Sequence, residues 1–295
     1  MGVMQFWRAI VFNLIIRINQ MLMKGNKSIY WLLIMMVLTM NVCAQRAMFG
    51  SQNNYVAPIL PYQAPVIITN GLVLNLDAAD PSSYSGSGNV WSTLVGSNHI
   101  NFYNNNSYST SGNPSYSSDG GGSLVTYGFY GRSIANSDIS GAAARSFEAW
   151  VKFNFVGSGS SGNSIISIGN KFMNQLYEMM AYQTNLISHP YNSPFAKSST
   201  VLNTSNWYQV VITYDGSTNH VIYINGVQVG ISSAGDGSNV TLNTGNTPFY
   251  IGSGTVAMNW GSFNGKIAAV RVYNRSLSSS DVTFNFNALR SRFGL

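Results

Sequence analysis

The chain has 295 residues, of which only 8% are charged while 45% are hydrophobic and 13% aromatic, so it can build a core and is not a disordered segment. Its formal charge of +6 is concentrated ahead of residue 45, where four of the 15 cations (Arg8, Arg17, Lys24 and Lys27) meet no acid; the other 11 face all 9 acids without a clustered basic face, which excludes nucleic acid as a primary partner. The single cysteine, Cys43, leaves the body without a disulfide, a thiol nucleophile or a thiolate metal centre.

In chain order, a hydrophobic leader over 1–44 comes first. "MLMKGNKSIYWLLIMMVLTMNVCAQ" (21–45) has the three parts of a secretory signal: Lys24 and Lys27, an apolar run from Ile29 to Met40, and a cleavage site after Val42-Cys43-Ala44. The run is short of the roughly 20 apolar residues of a spanning helix. Cys43 as a lipidated residue is disfavoured by the bulk of Val42 before it. Residues 1–20, apolar but interrupted by Arg8, read as translation called from too early a start, with a membrane-associated amphipathic stretch as the alternative. Residues 45–70 carry three prolines and no period, a linker with an edge strand expected at Val66–Thr69.

From residue 71 to 295 short apolar or alternating runs are punctuated by Gly, Ser, Asn and Asp, the spacing of a sandwich rather than of βαβ units. Strands are expected at Leu72–Leu76, Ser123–Tyr127, Ser146–Phe153, Ser164–Ile168, Trp207–Tyr214, His220–Ile224, Val227–Ile231, Phe249–Ile251 and Lys266–Tyr273. Asn225-Gly226 between two alternating runs marks a hairpin, because a type I′ turn needs positive φ at both central residues. In the last strand Ile267, Ala269 and Arg271 alternate with Ala268, Val270 and Val272, so it is apolar on both faces and central. Ser278-x-x-Asp281 then caps a short helix whose Val282, Phe286 and Leu289 share one face.

Four segments, "GLVLNLDAADPSSYSGSGNVWSTL" (71–94), "SFEAWVKF" (146–153), "NWYQVVITYDGSTNHVIYINGVQVG" (206–230) and "FNGKIAAVRVYNRSLSSSDVTFNFNALRSRFG" (263–294), resemble in this order the laminin-G-like jelly roll of the concanavalin A-like lectin/glucanase superfamily. The resemblance implies an all-β fold: an antiparallel jelly-roll β-sandwich with a short C-terminal helix. The closing segment is most similar to variants in bacterial surface proteins and bacteriophage virion or tail proteins. Such a fold hosts hydrolases and binders alike.

Glycoside hydrolysis needs two carboxyl groups across the scissile bond, and the Glu-x-Asp-x-Glu strand of the superfamily's glucanases is absent. Glu148 is expected at a sheet surface or paired with a cation such as Arg145, and Glu178 stands isolated. His99, His189 and His220 have no neighbouring acid or metal-ligand partner at useful spacing. A non-catalytic module is therefore expected, secreted or displayed at a surface, recognising a glycan or a cell-surface protein; a virion or tail-associated structural or adhesion protein is the alternative, and a glycoside hydrolase the third and least favoured reading. Aromatic and amide side chains in Gly/Asn/Ser loops are the candidates for stacking on sugars and bonding their hydroxyls: Trp260, Asn259, Asn264 and Tyr191. Trp150 and Trp207 lie in strand-like runs and are assigned to the core, whereas Tyr103, Tyr108 and Tyr116 are placed in loops. Calcium is the one cofactor the resemblance implies, with Asp236 and Asn239 as oxygen ligands. Tyr127 occupies a place where relatives carry Asp, which argues against an inherited calcium site.

Overall fold

The structure, a computed structural model, describes residues 62–104, 107–156, 162–232, 240–253 and 263–295. The leader therefore lies outside the described residues. Strands account for nearly all the regular structure. In chain order they are β1 (Leu72–Asp77), β2 (Val90–Trp91), β3 (Ile100–Asn104), β4 (Ser107–Ser111), β5 (Ser115–Ser117), β6 (Ser123–Val125), β7 (Phe129–Asn136), β8 (Arg145–Phe153) and β9 (Gly162–Gly169). They continue with β10 (Leu176–Tyr182), β11 (Asn185–His189), β12 (Ala196–Val201), β13 (Trp207–Tyr214), β14 (His220–Ile224), β15 (Val227–Gln228), β16 (Ile231–Ser232), β17 (Pro248–Ile251) and β18 (Gly265–Tyr273). A helix, α1 (Ser279–Leu289), and a 3₁₀ turn at Arg290–Phe293 close the chain.

Two antiparallel sheets result. The eight-stranded sheet runs β15-β14-β13-β8-β18-β6-β5, with β1 also paired to β18; the ten-stranded sheet runs β16-β12-β11-β10-β9-β17-β7-β3-β2, with β4 on β3. Their inner faces share one apolar core, to which β8 gives Phe147, Ala149 and Val151, and β9 and β10 give Ile166, Ile168, Tyr177 and Met179. This is the antiparallel sandwich that the patterning implied.

The outer face of the eight-stranded sheet carries a second apolar layer. Trp150, Trp207, Ala268 and Ala269 pack against Leu289 and Phe293, and Val211, Tyr223 and Tyr273 pack against Leu277 and Val282. The Trp150 ring lies parallel to Phe293 with centroids 4.2 Å apart. That is why β8 and β18 are buried on both faces. The expected alternation of β18 fails at one point, however. Its register against β8 shifts between Ile267 and Ala269, so Ile267 faces the inner core with Val270 and Val272 instead of lying on the side of Ala269 and Arg271.

The capping box forms: the Ser278 hydroxyl accepts from Asp281 N at 3.2 Å, and Asp281 Oδ2 accepts from Ser278 N at 3.0 Å. The helix also buries Asn285, a polar residue on its inner side. No strand forms at Val66–Thr69. Side chains hold that segment in place of a ladder: Ile68 N donates to Asn285 Oδ1 at 2.8 Å, and Ile68 O accepts from Tyr273 at 3.2 Å. The expected single strand Val227–Ile231 is also divided. β15 pairs with β14, whereas Ile231 pairs with Ser198 of β12, so the chain crosses between sheets near Gly230.

Glu148 is fully buried beneath α1, not at a sheet surface, and its partner is Arg271 at 3.1 Å rather than Arg145. Gln209 donates to Glu148 Oε1 at 3.0 Å and Asn285 to Oε2 at 2.7 Å. Arg145 instead turns into the inter-sheet core, where Ala143 O and Gly141 O accept from its guanidinium at 2.7 and 2.8 Å. Its charge lies 5.7 Å from the Tyr177 and Tyr214 ring centres. Burial lowers its pKa to about 10.

Candidate functional site

With α1 and the 62–70 segment packed on one outer face, the outer face of the ten-stranded sheet is where strand alternation presents a different set of side chains. In β9, Ile166 and Ile168 enter the core and Ser167 points away; in β10, Tyr177 and Met179 enter and Glu178 points away. In β17, Phe249 and Ile251 flank the outward Tyr250; in β3, Ile100 and Phe102 leave Asn101 and Tyr103 outward. Gly131 of β7 faces inward, since a Cβ there would meet Ile100 and Phe102, which turns Tyr130 and Arg132 outward.

The registers place these residues in one row. His189 is opposite Glu178, Glu178 opposite Ser167, Ser167 opposite Tyr250, Tyr250 opposite Arg132, and Arg132 opposite Asn101. At about 4.8 Å per strand the row is roughly 24 Å long. Tyr103 and Tyr130 stack beside it with centroids 5.4 Å apart. Exposure grades along the row: Glu178 and Ser167 are fully buried, Tyr250 is 8% exposed, and Arg132 lies exposed at the other end. Burial raises the Tyr250 pKa, and the positive charge of Arg132 partly offsets this.

At the buried end Glu178 is not isolated. His189 Nδ1 lies 3.1 Å from Glu178 Oε2, a cross-strand pair that no sequence spacing reveals. Glu178 Oε1 and the hydroxyls of Ser164 and Ser167 are buried without a hydrogen-bond partner. The other two histidines also have structural partners. Thr93 N donates to His99 Nδ1 at 3.2 Å. His220 sits in the inter-sheet core, with Nε2 3.0 Å from Val240 O and Nδ1 3.1 Å from the Ser188 hydroxyl. Because a carbonyl only accepts, Nε2 carries the proton.

A laminin G family model, described as the concanavalin A-like lectin/glucanases superfamily, matches residues 119–283. The chain belongs to this superfamily. Among solved structures, domain 4 of the extracellular arabinanase AbnA of Geobacillus stearothermophilus, in complex with arabinotriose, is 20% identical with a TM-score of 0.50 over 72% of this chain and 96% of its own. Trypanosoma rangeli sialidase, in complex with 2,3-difluoro-KDN, is 16% identical with a TM-score of 0.48; the match covers 88% of this chain but only 39% of the sialidase. The binding domain of Paraclostridial Mosquitocidal Protein 1 is 12% identical with a TM-score of 0.49, over 74% of this chain and 52% of that one. At these identities the likeness is one of fold alone. No curated protein matches the chain.

Within this concanavalin A-like domain the two described residues among those singled out from sequence, Tyr191 and Asn264, do not converge. Tyr191 lies beside the β9–β10 turn, where its carbonyl accepts from Asn174 N at 3.1 Å and the Lys171 ammonium lies 5.9 Å from its ring centre. Asn264 lies at the other end of β9: its N donates to Asn163 Oδ1 at 3.4 Å and its carbonyl accepts from Asn154 N at 2.9 Å. The length of β9, roughly 20 Å, separates the two. Trp260, Asn259, Asp236 and Asn239 lie outside the described residues. Among the described residues there is no group of three or more His, Cys, Asp or Glu that could hold a metal ion, and the exposed Tyr127 supplies no carboxylate. Tyr103 and Tyr116 lie on strands β3 and β5 rather than in loops; Tyr108 also falls in a strand, β4. Glu178 is the only carboxylate on the described strands of the ten-stranded sheet.

Proposed function

We propose that this domain is a non-catalytic glycan-binding module, secreted or held at a surface, and that the outer face of the ten-stranded sheet takes the ligand. The observation that carries this reading is the row from Glu178 to Asn101. It sets a phenol, a guanidinium and an amide side by side on rigid strands, next to a stacked tyrosine pair. The partly exposed Tyr103 ring, backed by the buried Tyr130, offers flat apolar surface to sugar C–H groups, and Arg132 and Asn101 offer donors and an acceptor to hydroxyls. Arg132, Asn101 and Tyr103 form the accessible end. A lone carboxylate on these strands favours binding over two-carboxylate hydrolysis.

The test is a binding panel on the full-length protein: arabinotriose, cellotriose, mannotriose, trigalacturonate and sialyllactose, each by calorimetry. At least one is expected to bind, with affinity reduced about tenfold or more in Arg132→Ala, the loss of a charge-assisted hydrogen bond. If none of the five binds, the glycan reading fails. If one binds and Arg132→Ala leaves it untouched, the glycan site lies elsewhere. Release of reducing sugar during incubation would overturn the non-catalytic part.

A further inference from the structure

The two sheets carry three arginines among their described strands, and two of them are satisfied within the fold. Arg271 of β18 bonds Glu148 at 3.1 Å, and Arg145 of β8 donates to backbone carbonyls. Arg132 of β7 differs: among the described residues it has no ion pair and no hydrogen bond. Its cross-strand neighbours are unused as well. Asn101 and Tyr250 lie directly opposite it, one strand away on either side, at about 4.8 Å. Among the described residues neither side chain makes a hydrogen bond, and the Tyr250 hydroxyl, unlike that of Tyr177, is not closed off from solvent. Burial raises the Tyr250 pKa, which keeps the hydroxyl protonated and a donor.

Acids are remote from this cluster. Glu178, the carboxylate on the strands of this sheet, lies three strands from Arg132, across β17 and β9, and is paired with His189. Along the chain the next acid is Asp138, beyond the end of β7 and bonded to Asn246. Val90, opposite Asn101, and Ile134, two residues on from Arg132, border the cluster with apolar surface, 43% and 58% exposed. A planar guanidinium that no protein acid opposes, with a neutral donor on each side, matches an oxyanion that accepts both N–H groups of the fork. A neutral hydroxyl brings neither the charge nor the two-oxygen geometry.

We infer, resting on the glycan-binding reading above, that the ligand of this face is an acidic saccharide whose carboxylate or sulfate group lies against Arg132, between Tyr250 and Asn101.

The test uses two matched pairs of sugars on the full-length protein, by calorimetry: trigalacturonate against its methyl ester, and 3′-sulfolactose against lactose. The first pair reads a carboxylate and the second a sulfate. In at least one pair the acidic member is expected to bind about tenfold tighter than its neutral partner, the preference of a charge-assisted hydrogen bond. That preference should shrink when sodium chloride is raised from about 0.05 to 0.5 M. Arg132→Gln changes an exposed residue, is expected to fold normally, and should bring each pair to parity. Equal binding within both pairs, or binding of neutral sugars alone, overturns the inference and leaves the glycan reading standing. Failure of every sugar, in these pairs and in the panel above, overturns both. A preference for the acid that persists in folded Arg132→Gln, or that salt leaves unchanged, also overturns the inference.

Discussion

Glu148 and Arg271 place opposite charges 3.1 Å apart, each almost wholly buried, with Gln209 and Asn285 completing the carboxylate's hydrogen bonds. Removing one member of such a pair leaves the other charge uncompensated, at about 3–5 kcal/mol. Glu148→Ala is therefore expected to lower the urea midpoint by that equivalent without changing the residues of the ten-stranded face. His220 predicts a pH dependence. Burial lowers its pKa from 6.5; the Val240 carbonyl and Asp215 act against this, while Arg145 adds to it. Ser188, Tyr177 and Tyr214 complete its surroundings. The unfolded chain then binds more protons at His220 as pH falls below about 6.5, so its contribution to stability is full above that pH and is lost on the way down to the folded value. A melting temperature that is level from pH 8 to 7 and declines below 6.5, with a smaller decline in His220→Gln, is the expected result. None of this was legible from the spacing of the histidines, because the partners come from other strands and loops.

At the scale of elements, α1 and the β14–β15 hairpin show how much local chemistry decides. Ser278 and Asp281 satisfy each other's backbone donors, and Ser278→Ala is expected to cost about 1 kcal/mol in chemical denaturation. The hairpin turn has positive φ at Asn225 (52°) and Gly226 (78°), as a type I′ turn requires. Gly226 is constrained twice, since a Cβ there would lie 2.8 Å from the Phe286 ring. Gly226→Ala should destabilise by about 1–3 kcal/mol and loosen α1, seen as faster amide exchange in Val282–Leu289. These elements were readable because caps and turns depend on residues three or four positions apart. Leu176–Tyr182 was not: "LYEMMAY" is buried on nearly every residue and shows no alternation, although it forms a central strand. Ile267 and Ala268 were misread for a different reason, since a bulge depends on the partner strand's register.

For the whole molecule, the 62–70 segment and α1 act as one cover over the eight-stranded sheet. Asn285 joins them, accepting from Ile68 N and donating to Glu148 and Tyr273. Arg292 ties the C-terminus to β1 through both oxygens of Asp77, at 2.7 and 2.9 Å, and to the carbonyls of Gly120 and Gly122. Among the described residues, Arg292→Ala leaves the buried Asp77 carboxylate with Tyr62 and the Ala79 N–H as its hydrogen-bond donors and no cation. It is expected to lower the melting temperature and to raise proteolytic cleavage of the C-terminal turn, while the glycan binding proposed for the opposite face stays as in the wild type.

Order and local pattern along the chain determined the fold class, the closing strand and helix, the hairpin and the superfamily, since each is written in alternation, turn chemistry and four segments in sequence. Only the tertiary structure decided the rest. It brought His189 to Glu178, aligned six strands so that Tyr250 and Arg132 are neighbours, and gave Glu148 its partner Arg271 instead of Arg145. Cross-strand neighbours are set by register between segments up to more than a hundred residues apart, and a one-residue shift turns every side chain to the other face. That physical step has no signature in the residues on either side of Glu178.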